Sequence, residues 1–213
     1  MSWPELMFLL NGLKWTVALS AVGFAGGGIF GLAVALARTS DRPRLERITA
    51  GYIGVFQGTP LLMQLFVVYY GLALIGLDLD AWAAVAIGFT LHASAFLGEI
   101  WRGSIEAVPK GQTEAANALS LGYVSRMRDV VLPQALRISL PATIGFLVQL
   151  IKGTSLASIV GFTELARAGN IVSNQIFKPL LVFGVVGILY FLMCWPLSLY
   201  GSWLERQLAA PSR

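Results

Sequence analysis

Five long apolar runs separated by polar stretches set the plan of this chain. They cover about residues 15–37, 50–75, 81–98, 138–160 and 180–204, and about 20 apolar residues suffice for a helix to cross the hydrocarbon core of a bilayer. The expected fold is therefore an all-α polytopic membrane protein, a single domain over residues 1–213 with five transmembrane helices. The longest polar interruption, residues 103–136, separates the third run from the fourth. Within it the stretch EAANALSLGYVSRMRDVVLP, Glu114 to Pro133, reads as two short helices broken at Gly122. Thr113 is the expected N-cap of the first, which places Glu114 in the first turn, where the helix dipole favours a carboxylate. In the second, Val124, Met127, Val130 and Val131 recur at helical spacing and predict a stripe resting on a neighbour. Too polar to span and too patterned to be slack, the insert reads as a docking surface on one side of a membrane.

Interruptions inside the runs mark the candidate chemistry. Gly23, Gly27 and Gly31 repeat every four residues and let one helix face approach another closely, within the subunit or across a dimer. In the second run Pro60, after Gln57, Gly58 and Thr59, frees a backbone carbonyl and predicts a kink. Polar groups at that depth face protein or water, so Gln57, Thr59 and Gln64 are expected to point inward, as inter-helix hydrogen-bonding groups or as lining of a substrate path. His92, the one histidine, reads either as hydrogen-bonded packing or as a polar path position, and alone it makes no metal site. Glu99 and Arg102 stand at i and i+3, within pairing reach. In the fourth run Lys152 would cost about 2.5–3.5 kcal/mol if inserted into lipid. Lys152, Thr154 and Ser155 are therefore expected to face a cavity or a partner, on a helix broken at Lys152-Gly153. An ion pair between Lys152 and Glu164 is the alternative. Residues 163–178 read as a polar connection, and the last run as a helix bent at Pro196.

Composition agrees with the membrane reading. Of 213 residues 56% are hydrophobic and 12% charged, against about 25% charged in a soluble domain. The net charge of +4 does not signal nucleic acid, because the basic residues gather at the ends of apolar runs, where they act as topology determinants. Eleven lie on one side of a five-span arrangement: Arg38, Arg42, Arg44, Arg47, Arg102, Lys110, Arg126, Arg128, Arg137, Arg206 and Arg213. Lys14, Lys152, Arg167 and Lys178 lie on the other. That bias puts the N-terminus outside and the 103–136 loop and C-terminus in the cytoplasm. The N-terminus has no basic region ahead of its apolar residues and is not read as a cleaved signal peptide. Cys194, the single cysteine, reads as a packing residue. No G-x-x-x-x-G-K-[ST], G-x-S-x-G or H-E-x-x-H occurs, so the chain is expected not to be an enzyme, and energy must come from another polypeptide.

Four separated stretches carry a resemblance: QGTPLLMQ (57–64), LGEIWRGSI (97–105), PKGQTEAA (109–116) and KGTSLASIVG (152–161). Together with the span pattern, over roughly residues 12–206, they resemble the polar-amino-acid permeases of ABC importers, whose cargoes include histidine, glutamate, glutamine, arginine and opines. The resemblance implies a type I importer permease with a cytoplasmic EAA coupling-helix loop. Glu114, Ala115, Ala116, Ser120, Gly122, Leu132 and Pro133 would then contact the ATPase. Ser120 stands where the family commonly has glycine, so Gly122 is expected to supply the turn. Gln57, Thr59, Gln64, His92, Lys152, Thr154 and Ser155 would be the substrate-path candidates. The family commonly has aspartate at position 153; Gly153 removes that negative charge beside Lys152. Implied partners are ABC ATPase subunits that bind ATP and Mg, an identical or homologous permease subunit, a periplasmic or lipid-anchored amino-acid-binding protein, and membrane lipid. No cofactor, metal or nucleic acid is expected on this chain, and the implied location is the bacterial cytoplasmic (inner) membrane. The alternative class is an ion-conducting channel or membrane scaffold without ATP coupling.

Overall fold

The computed structural model describes residues 1–40 and 42–209; Arg213 of the charge count lies outside the described residues. Among those described, every regular element is helical. They are α1 (Trp3–Arg38), α2 (Pro43–Gly58), α3 (Leu61–Leu74), α4 (Ala81–Glu106), α5 (Lys110–Ala118), α6 (Tyr123–Val160), α7 (Leu165–Ile176) and α8 (Pro179–Ala209). Helices α1, α4, α6 and α8 are each long and apolar enough to cross a membrane. Helices α2 and α3 qualify only as a pair that meets at 107°, which makes a fifth span if the bent pair is counted as one.

Several expected boundaries move. The first helix starts at Trp3 rather than Trp15, with the Ser2 backbone N–H donating to the Glu5 carboxylate. Lys14 did not end the helix because its side chain stays exposed, and a long lysine stem can carry its charge away from apolar surroundings. The third helix runs on to Glu106, where the Glu99 and Arg102 side chains pair as expected, with Arg102 Nε donating at 2.9 Å. Arg44 and Arg47, which lie before the second apolar run, belong to α2.

Two larger corrections concern the second half. The second of the two short helices is the start of α6, which continues from Tyr123 through the fourth apolar run. Residues 163–178 are mostly helix: Leu165, Ala168, Gly169, Val172 and Ser173 form a buried stripe along α7. That stripe is built largely from small side chains scattered among Arg167, Asn170, Asn174 and Gln175, so it reads as polar by composition alone.

Helices α1 and α4 form the tightest contact. A Cβ added at Gly23, Gly27 or Gly31 would meet Phe89, Ala93 or Leu97 respectively, at 2.9, 2.3 and 3.1 Å. The glycine face is therefore packed inside the subunit. Around this seam Leu19, Leu65, Val85, Phe89, Phe146 and Leu150 make the main core. A second cluster, from Leu9 through Leu165 and Val172 to Val182, ties α7 between α1 and α8. Cys194 packs with Val148 and Ile151, between α8 and α6.

Candidate functional site

The predicted kink is a full break. Helix α2 ends at Gly58, Thr59 is extended, and Pro60 stands at the N-cap of α3. The carbonyls this exposes are met by one side chain: Gln64 Nε2 donates to Phe56 O at 2.8 Å and to Thr59 O at 3.0 Å. Gln64 Oε1 in turn accepts from His92 Nδ1 at 2.9 Å, and the imidazole lies 4.5 Å from the Phe96 ring. Tyr52 adds a second tie, its hydroxyl donating to Leu91 O at 2.7 Å. Gln64 and His92 thus splice the break onto α4, because carbonyls freed at membrane depth need an internal donor. Gln64 is buried, whereas Gln57 and Thr59 are exposed on the single chain.

Helix α6 does not break at Lys152-Gly153. It tightens from an α-helix into a 3₁₀ helix over Thr154–Val160 and then turns at Gly161 (φ 91°). The Thr154 hydroxyl is buried and donates to Ile151 O at 2.7 Å, while Ser155 Oγ donates to Lys152 O at 2.8 Å. A Cβ at Gly153 would come within 3.2 Å of Leu61 Cδ2. The tightened turn of α6 and the broken end of α3 therefore touch, which joins the two stretches singled out in sequence. Lys152 is exposed and shares its face with Ala142, Gly145 and Gln149. The expected alternative pairing with Glu164 is not made. Glu164 is fully buried at the N-cap of α7 and accepts from Ala166 N, Arg167 N and the Tyr190 hydroxyl.

The same face of α6 opens below Lys152 into a groove of about 650 Å³ shared with α8, lined by Ala142, Gly145, Ser198, Ser202 and Glu205 among others. Gln149 and this groove escaped the sequence reading. The signal was present, since residues 142, 145, 149 and 152 fall at helical spacing on small or polar side chains, a poor surface for lipid.

In the 103–136 loop, α5 is capped by Pro109, so Thr113 lies inside the helix and Glu114 in its second turn. Proline fits there because its fixed φ suits a helix entrance. Glu114 and Ala115 are exposed and Ala116 is buried. Asn117 Oδ1 accepts from Arg126 Nη1 at 2.7 Å, clasping α5 to the start of α6. Ser120 itself takes the left-handed conformation (φ 56°), while Gly122 is extended at the N-cap of α6. The turn thus falls on Ser120, correcting the assignment to Gly122. Met127 and Val131 pack on Val108 and Ala135, but Val124 is 74% exposed and leaves the expected stripe. A widened π turn over Arg126–Val131 precedes Leu132 and Pro133, where the proline cannot complete a regular helical hydrogen bond.

Residues 27–210 match the model of the binding-protein-dependent transport system inner membrane component. The chain belongs to this family of permeases. It is 36% identical over 207 residues to an L-cystine transport system permease of Bacillus subtilis, covering 97% of this chain and 87% of that one. An arginine transport system permease of the same organism is 34% identical, over 96% of this chain and 94% of its own length. A crystal structure of an amino acid ABC transporter with histidines matches with a TM-score of 0.87 and 31% identity, over 95% of this chain and 94% of that one. This chain is accordingly a permease subunit of an amino-acid ABC importer, a membrane component with several apolar helices rather than the ATPase.

Proposed function

We propose that this permease forms one half of a translocation path for a polar amino acid, pairs with an identical or homologous permease, and couples to a separate ATPase through α5. The ATPase binds ATP and Mg, and a periplasmic or lipid-anchored binding protein delivers the cargo; this chain binds no cofactor of its own. The observation that carries the reading is α5 itself, a short polar helix clasped by Asn117 and Arg126 that presents Glu114 and Ala115 outward. An exposed carboxylate on a fixed helix can accept charge-assisted hydrogen bonds from a basic groove, worth about 1.5–3 kcal/mol each. Ala115, Ser120, Gly122, Leu132 and Pro133 complete that docking surface in shape. In the path, Lys152 meets the cargo carboxylate, and Gln57 and Thr59 line the wall beside it. The relatives differ in cargo, cystine in one and arginine in the other, so their names do not choose the amino acid.

Glu114→Ala should leave the permease assembled in the membrane yet reduce uptake and the stimulation of ATP hydrolysis by loaded binding protein. Wild-type uptake and stimulation in that variant would defeat the coupling assignment. Absence of any ATPase co-purifying with the native chain would favour a channel or scaffold. Orientation has its own test in a Cys194→Ala background. A cysteine replacing Asp78 should label from the periplasm and one replacing Lys110 from the cytoplasm, and labelling of both from one side would refute five spans.

A further inference from the structure

Within the five apolar runs the chain has no aspartate or glutamate, and Lys152 is their one lysine or arginine. Among the described residues the ion pairs are Arg38–Glu46, Arg102–Glu99, Arg102–Glu106 and Arg128–Asp129, none of which involves Lys152. Glu164, the acidic residue nearest along the chain, is sequestered with three donors of its own. The carboxylate in the groove below is Glu205. Ile151 and Cys194 pack together, which sets Lys152 level with Cys194, and the eleven residues of α8 from there to Glu205 rise about 16 Å. At the depth of Lys152 the exposed face of α6 therefore offers one ammonium and one neutral amide, Gln149.

We infer that this permease selects amino acids of zero or negative net charge and rejects those carrying a second cationic group. The inference rests on the path reading given above and adds the charge class of the cargo. Every amino acid brings a carboxylate for Lys152. A guanidinium or a second ammonium finds no countercharge on this face, and between low-dielectric walls its repulsion from Lys152 is felt over several ångströms. A side-chain amide or carboxylate meets the Gln149 amide instead, which can both donate and accept. Pairing with an identical copy would bring a second ammonium to the same path and strengthen the bias.

The test uses the purified permease–ATPase complex in nanodiscs, free of nucleotide and of its binding protein, so that the soluble receptor does not set the selectivity. Equilibrium binding of radiolabelled L-glutamate, L-glutamine and L-arginine is measured. L-Glutamate and L-glutamine should bind at least about tenfold more tightly than L-arginine. Gln149→Glu, which keeps side-chain size and sets a carboxylate one turn from Lys152, should erase that ratio, as should Lys152→Gln. If L-arginine binds the wild type as tightly as L-glutamine while Lys152→Gln still weakens L-glutamate, the charge rule fails and the path reading stands. If Lys152→Gln changes none of the three affinities, Lys152 is not on the path and both fail.

Discussion

Gly27→Ala is expected to disrupt the seam between α1 and α4 and to lower the thermal stability of the permease more than any other single-methyl addition on α1. The added Cβ would sit 2.3 Å from Ala93 Cβ and about as close as backbone allows to the next peptide, with Ala93 C at 3.0 Å and Ser94 N at 3.1 Å. Backbone cannot step aside as a side-chain tip can, so the two helices must separate. In a bilayer there is little hydrophobic force to close them again, since association depends on close packing. Overpacking costs typically about 1–3 kcal/mol, and this contact belongs at the upper end. The neighbouring Gly23 and Gly31 contacts would open with it, and the core residues Phe89 and Leu97 lie on the same face of α4. Ala93→Gly in the same chain should restore part of the loss by removing the nearest atom, and only part, because the backbone contacts remain. Gly51→Ala on α2, where a Cβ meets nothing within 4 Å, is the control and should be neutral or slightly stabilising. Thermal unfolding of the detergent-solubilised variants decides the matter: a Gly27→Ala protein as stable as Gly51→Ala would show that the seam is not close-packed.

How far the sequence foretells this structure depends on whether the signal is local. The apolar runs, the Pro60 interruption and the Glu99–Arg102 pair are local patterns, and each is present, with boundaries shifted where an exposed lysine or arginine sits on a helix. The spacing of Gly23, Gly27 and Gly31 announces a close approach but not its partner, because the complementary positions on α4 are 66 residues away and include the bulky Phe89. Gln64 and His92 carry no sequence mark that joins them. Their link follows from the 107° turn between α2 and α3, which leaves carbonyls that only a tertiary neighbour can satisfy. Ser120 is a case in which composition misleads: Gly122 is the better left-handed residue by intrinsic preference, yet the clasp between Asn117 and Arg126 and the extended entry to α6 place the positive φ on Ser120. Helix α7 was missed because small buried residues do not raise apolar content enough to stand out from their polar neighbours.

Glu164→Ala should produce a loss of stability comparable to a large core deletion, although the residue reads in sequence as an ordinary charge in a polar connection. Its carboxylate is fully buried, accepts from Ala166 N and Arg167 N at 2.8 Å each, and receives the Tyr190 hydroxyl at 2.9 Å. The first turn of α7 has no other acceptor for those two amides, while the preceding amide, Leu165 N, donates to Thr16 Oγ1 of α1 at 3.1 Å. Alanine leaves three donors without their acceptor at a part-buried site. Each unsatisfied buried group costs about 1–3 kcal/mol, so three donors left together make a loss of several such steps. Glu164→Gln keeps the shape but offers only one accepting oxygen, so it should fall between alanine and wild type. Tyr190→Phe removes a donor and leaves nothing polar unpaired on α8, so its cost should be near about 1 kcal/mol. Combining it with Glu164→Ala should be less damaging than the sum of the two, because the phenylalanine no longer leaves a buried hydroxyl without an acceptor. The damage should also reach the path, because α7 steadies the segment that follows Lys152: Arg167 Nη1 donates to Ser158 O at 2.8 Å, inside the 3₁₀ turn. Thermal unfolding of the single and double variants, with uptake measured on the survivors, gives the ordering. If Glu164→Ala unfolds at the wild-type temperature, the carboxylate does not hold α1, α7 and α8 together.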